Sequence, residues 1–393
     1  MATAFVRLAA GTVITVASGS VRRDVTLVDE IPAGHKFAVR ALAAGLRIRK
    51  YGEFIGRTLA PIATGAHVHT HNLQTGARRN PQDEAAWCTQ SARPAACRVI
   101  GTPRTTVGES PVWDAASGRL YWVDVRETPA IHMLHVASGE GRSWPMHEDV
   151  GAVALAGLDT LVVGLRSGFA TFDCTTGQLT PIADPEPDLP GNRLNDGKCD
   201  AQGRFWCGSM NPEVATAEGS LYVLDTDRRW RRALGDLLTP NGMTWSLDGR
   251  TMYLADTRRG LIHAFDYDLA QGTLGGQRIF ADLGALPGSP DGATVDAEDH
   301  LWSALWDGGC LVRFDPAGRM ERVVRVPVSK PTSCAFGGEG YRELFVTTAT
   351  RGLDPARLRA EPLAGRVLVL DVGVAGVAPR RFGPQADRDG IHS

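Results

Sequence analysis

The chain lacks a charge excess: 42 Lys and Arg stand against 44 Asp and Glu among 393 residues, for a formal net charge of −2. A chain so balanced carries no electrostatic footprint for nucleic acid, and its expected partners are small polar molecules. No run of 18 apolar residues occurs, which excludes a membrane-spanning helix on length. The apolar start, Ala2 to Val16, has no basic leader and carries Arg7 inside it, so export is not expected. Seven cysteines, odd in number and without a Cys-x-x-Cys pair, exclude a disulfide scaffold or zinc ribbon and fit a reducing cytoplasm. A Gly-x-Ser-x-Gly elbow is also missing, which removes the usual nucleophilic serine. His132, His135, His263 and His300 fall in or beside apolar strand patterns and read as structural residues.

No long stretch keeps a 3.6-residue apolar period. Short runs rich in Val, Ile, Tyr, Trp and Thr stand instead between Gly, Pro and Asp punctuators, and an all-β chain is expected from residue 108 onward. A two-part phrase repeats there. Its first parts are Gly118 to Val125, Asp159 to Leu165, Gly203 to Met210, Gly249 to Asp256, Asp299 to Leu305 and Arg342 to Thr348. Its second parts end near His135, Asp173, Asp225, Asp266, Asp315 and Asp371. A spacing of roughly 40 to 50 residues is the length of one four-stranded blade, so the expectation is a six-bladed β-propeller.

Three polar motifs punctuate these repeats: Gly108-Glu109-Ser110-Pro111, Thr239-Pro240-Asn241-Gly242 and Ser289-Pro290-Asp291-Gly292. Each alone also reads as an ordinary turn. In a propeller, loops from different blades meet at the mouth of the central channel, where Glu109, Asn241 and Asp291 would offer two carboxylates and an amide. Such a hard-oxygen set suits one divalent cation: zinc, calcium, manganese, magnesium or iron. Arg193 and Asn195 are two apart, so on an extended segment they share a face and could reach a ligand from the channel wall. The alternative is a hairpin turn at Asn195-Asp196-Gly197 with Arg193 as a surface charge.

With Asn192-Arg193-Leu194-Asn195-Asp196-Gly197-Lys198, Pro-Asn-Gly-Met-Thr-Trp-Ser at 240 to 246 and Lys330-Pro331-Thr332-Ser333-Cys334-Ala335-Phe336-Gly337-Gly338, residues 98 to 384 resemble the senescence marker protein/regucalcin/gluconolactonase family of six-bladed propellers. The departures are Ser110 in place of a Gly and Ala293 after the Pro-Asp-Gly. The resemblance implies metal ligation by Glu109, Asn241 and Asp291, a catalytic Asp291, and substrate contacts from Arg193, Asn195 and Glu213. A cation with only three protein ligands keeps positions for water and a lactone carbonyl, and Asp291 is the candidate to take the water's proton. Asp291 as a purely structural ligand is the alternative.

Residues 1 to 80 stand outside the repeat, with β-like runs at Thr12 to Val16 and Val25 to Val28. Ile31-Pro32-Ala33-Gly34-His35-Lys36, Lys50-Tyr51-Gly52-Glu53-Phe54-Ile55-Gly56 and Gly65-Ala66-His67-Val68-His69-Thr70-His71-Asn72-Leu73 resemble the small SAF-type (β-clip) domain of altronate and galactarate dehydratases. On one strand face, His67, His69 and His71 would invite a metal. They could equally organise a loop, or bind an anion with His35 and Lys36. The dehydratases' large catalytic domain is missing, so docking of a dehydratase subunit or binding of a sugar acid is expected, not dehydration. The organisation read from the sequence is thus an N-terminal domain at 1–80, a linker at 81–97, the propeller at 98–384 and a tail at 385–393. The function expected is metal-dependent opening of an aldono- or aldarolactone. Alternatives are a non-catalytic propeller binding calcium or a sugar acid, and an accessory subunit for a dehydratase.

Overall fold

The structure, a computed structural model, describes residues 1–18, 21–50, 53–74, 95–213, 216–284 and 286–384. Most of the expected linker and the expected tail at 385–393 lie outside the described residues. The chain divides into two compact units, Met1–Arg79 with Glu213–Ala217, and Asn80–Pro212 with Glu218–Ser393. Both are β. Among the described residues the only α-helix is Pro355–Ala360, and it starts on an Asp354 cap that accepts the backbone N–H of Arg357 at 2.8 Å.

The larger unit holds six four-stranded antiparallel sheets, each built from strands in sequence order. In every sheet the first-part segments read from the sequence form the second strand, as with Arg119–Asp124 and Thr251–Asp256. The second-part segments form the third, as with Ala130–His135 and Val367–Asp371. The sixth sheet takes its fourth strand, Cys97–Ile100, from the start of the unit, where it pairs antiparallel with Val367–Asp371.

The first strands of the sheets are Gly108–Asp114, Val150–Leu155, Arg193–Cys199, Pro240–Trp245, Ser289–Val295 and Pro331–Gly337. They are buried along nearly their whole length, whereas a fourth strand such as Gly141–Pro145 is largely exposed. Each first strand lies beside the next, and the sixth lies beside the first. Apolar layers fill the spaces between sheets. Val112 and Tyr121 of the first sheet pack with Val153 and Val163 of the second. Trp113 and Trp122 of the first pack with Phe345 and Val369 of the sixth. Burial of such layers on both faces of every sheet is what a propeller-like arrangement provides, and it holds the first strands at the centre.

All six first strands share one irregularity. Pairing with the second strand slips between Glu109 and Val112, Val150 and Ala152, Leu194 and Gly197, Asn241 and Thr244, Pro290 and Ala293, and Pro331 and Ser333. Such bulges bend a strand and re-aim its side chains. The three polar motifs of the sequence are therefore strand bulges and not connecting turns.

The smaller unit contains a three-stranded sheet of Ala2–Thr3, Lys36–Phe37 and His67–Val68, a hairpin of Val13–Ser18 and Val21–Thr26, and a second three-stranded sheet of Arg47–Lys50, Glu53–Thr58 and Leu73–Gln74. Ala4, Val25, Leu27, Ile31 and Phe37 form a core in it.

Candidate functional site

The bulges decide which side chains meet. Glu109, Arg193, Asn195, Asn241 and Asp291 come from four different sheets and are all buried. Gly242 has a positive φ of 55°, and a Cβ there would collide with the carbonyl oxygen of Asp291. Gly292 likewise leaves room for the Ser333 side chain. Glycine after Asn241 and after Asp291 thus lets one first strand close on the next, which an alanine would prevent.

Burial pushes the Glu109 carboxyl well above the usual range, and Asp291 and Asp196 add to the shift. Asp291 is raised in the same way, by burial first and Asp196 second. Opposing positive charge comes from Arg193 on both and from Lys330 on Asp291, whose own Nζ pairs with Asp307 at 2.6 Å. Burial lowers the Arg193 pKa to about 10, so the guanidinium remains charged at neutral pH. Its Nη1 donates to the Leu194 carbonyl at 2.9 Å, while its buried Nε has no hydrogen-bond partner among the described residues and sits 3.7 Å from Asp149.

Asn241 is fixed at both ends of its amide. Its Nδ2 donates to Thr257 Oγ1 at 2.8 Å, and its Oδ1 accepts from Asn195 Nδ2 at 2.7 Å. Asn195 Nδ2 also reaches the Pro240 carbonyl at 2.9 Å. The amide oxygen of Asn241 keeps a second lone pair, so the donor set is two buried carboxylates and one oriented amide oxygen. That set fits a hard divalent cation, whose charge would offset the carboxylates' desolvation. Among the described residues, no three His, Cys, Asp or Glu side chains form a metal site by themselves, since the third donor here is an amide.

Glu213 is exposed, on the segment between the strands Phe205–Met210 and Gly219–Leu224. Two residues that sequence reading passed over belong to the buried cluster. Asp196 lies inside the Leu194–Gly197 bulge, buried, and accepts the backbone N–H of Gly197 at 2.9 Å. Lys198 donates from Nζ to the Ala293 carbonyl at 2.6 Å. The signal was present as Asn-Asp-Gly-Lys, but that tetrapeptide also spells a hairpin turn.

The structural histidines have partners. His132 Nδ1 meets Ser143 Oγ at 2.7 Å, His135 Nδ1 meets Ser138 Oγ at 2.8 Å, and His300 Nδ1 meets the Glu298 carbonyl at 2.8 Å.

In the smaller unit His67 is in a two-residue strand, and His69 and His71 follow in a turn, so strand alternation does not align them. The turn gathers them nonetheless. Ring centroids are 5.1 Å apart for His35 and His67, 4.6 Å for His35 and His69, and 5.4 Å for His67 and His71. His35 Nδ1 and His67 Nε2 are 2.9 Å apart. The turn is held by Asn72, which accepts from His69 N at 3.0 Å and donates to the His67 carbonyl at 2.8 Å. Burial, then the neighbouring imidazoles, lower the His67 pKa. The near-parallel stack of His35 and His69, 12° between planes, sets their in-plane lone pairs in two separate, nearly parallel planes. Lys36 is half-buried on the central strand of the same sheet.

Residues 107–350 match the model of the SMP-30/Gluconolactonase/LRE-like region, and residues 1–76 match the altronate/galactarate dehydratase SAF domain. Regucalcin of Gallus gallus is 37% identical over 72% of this chain and 97% of its own length. The structure of regucalcin from Agrobacterium tumefaciens, described as a calcium-binding protein, superposes with a TM-score of 0.71 at 32% identity, covering 74% of this chain and 98% of that one. A luciferin-regenerating enzyme superposes with a TM-score of 0.68 at 28% identity, over 73% of this chain and 100% of that one.

Proposed function

Because the chain belongs to the SMP-30/gluconolactonase/LRE-like family, with an SAF domain of the altronate/galactarate dehydratase type at its N-terminus, we propose that it is a metal-dependent sugar lactonase on a closed six-bladed β-propeller. The six sequential sheets, and the strand Cys97–Ile100 that completes the last of them, support the closed propeller. The observation that carries the activity is the convergence of Glu109, Asp291 and the doubly fixed Asn241, buried beside Arg193 and Asn195.

In this reading Glu109, Asn241 and Asp291 hold one divalent cation. When bound, the cation polarises the lactone carbonyl and offsets the negative charge that develops on its oxygen. Asp291 takes the proton of the attacking water on a carboxylate oxygen and returns it to the departing ring oxygen. Arg193 presents its unpartnered Nε–H to substrate hydroxyls, and Asn195 sets the orientation of the Asn241 amide. Buried donors of this kind select a polyhydroxylated substrate, because an analogue lacking the hydroxyl leaves them unpaired.

The test is hydrolysis of pentono-, hexono- and aldarolactones, followed with a pH indicator, on chelated protein with calcium, zinc, manganese, magnesium or ferrous iron restored one at a time. Turnover above the spontaneous rate with one metal supports the enzyme. Tight calcium binding with no turnover on any lactone leaves the non-catalytic binding propeller.

The His35, His67, His69 and His71 cluster with Lys36 supports a second role for the smaller unit, binding a sugar-acid carboxylate or docking a dehydratase subunit. Calorimetric titration of the full chain with galactarate, against a His67→Ala variant, tests it. Unpaired thiols at all six described cysteines suit work in the cytoplasm. No helix among the described residues is long and apolar enough to cross a membrane.

A further inference from the structure

Three guanidiniums, that of Arg193 among them, converge on one carboxylate. Asp149 immediately precedes Val150–Leu155, the first strand of the second sheet, which lies between the first strands that carry Glu109 and Arg193. Arg166 Nη2 donates to Asp149 Oδ2 at 2.8 Å, Arg126 Nε is 3.1 Å from the same oxygen, and Arg193 Nε is 3.7 Å from it. The backbone holds the arrangement as well, since Arg166 N donates to the Asp149 carbonyl at 3.0 Å. Three cations thus meet one anion in a partly sheltered place, where Asp149 is 13% and Arg126 18% exposed. Sheltered like charges repel strongly, and a second anion would relieve them.

The neighbouring acids have other partners. Glu148 accepts from Ser167 N at 2.7 Å and from Ser167 Oγ at 2.9 Å, and Glu127 lies 3.5 Å from Arg351. Glu109 and Asp291 belong to the cation in the proposed site. Arg166 and Arg193 also line a cavity of about 230 Å³, together with Glu186 and Asn192. The Glu186 oxygens accept from Ser209 Oγ at 2.7 Å, Tyr222 Oη at 2.9 Å and Asn192 Nδ2 at 2.9 Å. Asn192 is 4% exposed, and its Oδ1 has no hydrogen-bond partner among the described residues. A buried acceptor left over beside guanidinium donors calls for a ligand that carries hydroxyls and an anionic group together.

We propose that Arg126 and Arg166 are specificity residues that bind the free carboxylate of an aldarolactone, the lactone whose far carbon bears a carboxylate where an aldonolactone bears a hydroxymethyl group. Asp149 orients the guanidiniums, and Arg193 and Asn192 take the hydroxyls between that carboxylate and the ring. Arginine forks already set around one carboxylate match a second of the same planar shape. The inference rests on the lactonase reading and narrows its substrate.

The experiment uses full-length protein loaded with the divalent metal that gives it the highest turnover. It compares kcat/KM on glucarolactone and galactarolactone with kcat/KM on gluconolactone and galactonolactone of the same ring size, so that each pair differs in that one group. The parent is expected to prefer the aldarolactone by about 10-fold or more, the worth of one charge-assisted hydrogen bond. Arg126→Gln and Arg166→Gln should each cut this ratio by about 10-fold. Arg166→Lys, which keeps the charge but not the fork, should recover part of it. Arg166→Glu should turn the preference toward the neutral lactone. Circular dichroism checks that each variant is folded, and if Arg126→Gln is not, the more exposed Arg166 decides. Variants that slow both lactones equally and leave the ratio unchanged make the arginines structural and overturn the proposal. A preference for a phosphorylated aldonolactone over the aldarolactone overturns the carboxylate assignment. A parent that opens neutral lactones as efficiently as aldarolactones also overturns the proposal while the lactonase reading stands, whereas a parent that opens no lactone sinks both.

Discussion

The side-chain amide of Asn195 donates to Asn241 Oδ1 at 2.7 Å, joining a residue of the third sheet to one of the fourth. Asn241 Nδ2 is held from its other side by Thr257 Oγ1 at 2.8 Å, so the amide cannot flip without losing both bonds. Asn195 in this account acts first on a metal ligand and only then on substrate. Asn195→Leu should therefore weaken metal binding by about 10-fold as well as slow turnover. Metal titration by calorimetry decides it: unchanged affinity with a raised KM would return Asn195 to a substrate-only role.

Asp291→Asn should keep the fold and reduce lactone hydrolysis by at least ~100-fold, because it weakens the cation site and removes the proton acceptor together. Circular dichroism and rate measurements above spontaneous hydrolysis check this. Near-normal turnover would leave Asp291 without a chemical part.

Glu109→Gln and Arg193→Ala should separate cleanly. The first lowers metal content after dialysis, whereas the second retains the metal and raises KM by about 10-fold or more, since the lost guanidinium contacts substrate and not the cation. Elemental analysis of both proteins is the measurement. Stoichiometric metal and normal activity in Glu109→Gln would remove Glu109 from the site.

His132 makes the larger unit sensitive to mild acid. Burial lowers its pKa to about 4, against 6.5 in the unfolded chain, with Asp124 pulling the other way. The unfolded state therefore binds more protons between these values, so the stability His132 contributes is complete above pH 6.5 and is lost as pH falls toward 4. Between pH 7 and pH 5 the loss is roughly 2 kcal/mol. His132→Gln, which cannot titrate, should show a pH 7 to pH 5 difference in urea-derived stability smaller by about that amount. An unchanged difference would place the acid sensitivity elsewhere.

A chain beginning at Ala95 should fold and keep its lactonase turnover. The cut belongs before Ala95 because Ala95 N donates to the Arg325 carbonyl at 2.7 Å and the pairing strand begins at Cys97. A well-folded truncation without turnover, by circular dichroism and the indicator assay, would mean that both units contribute to one site.

Much of this was written in the chain in a readable form. The second and third strands of each sheet show aliphatic runs, the third ending at or beside an Asp or His, and the structure places them within a residue or two of those readings. First strands were harder to see, because they carry the polar motifs and their bulges break the alternation that marks a strand. Glu109, Asn241 and Asp291 could be named from their motifs but not placed on strands, since Pro-Asn-Gly and Pro-Asp-Gly spell turns equally well. Asp196 and Lys198 went unnoticed for the same reason: their partners are backbone groups of Gly197 and Ala293, and no side-chain pattern records a backbone partner. The histidine cluster shows the reverse case. Its residues were legible, but the expected strand ends at Val68, and the Asn72 hydrogen bonds that shape the turn set the ring geometry.

The pairing of Cys97–Ile100 with Val367–Asp371 has a consequence for the order of synthesis. On a ribosome the strand Cys97–Ile100 emerges early and waits, unpaired, until nearly the whole chain has been translated. Among the described residues the smaller unit's strands end by Gln74, so that unit can fold while the rest is still being made. The larger unit can stack its sheets one after another but must leave its first and last edges open to other chains until the end. An arrest of translation before residue 367 would release a protein with a finished first unit and a sheet edge ready to aggregate.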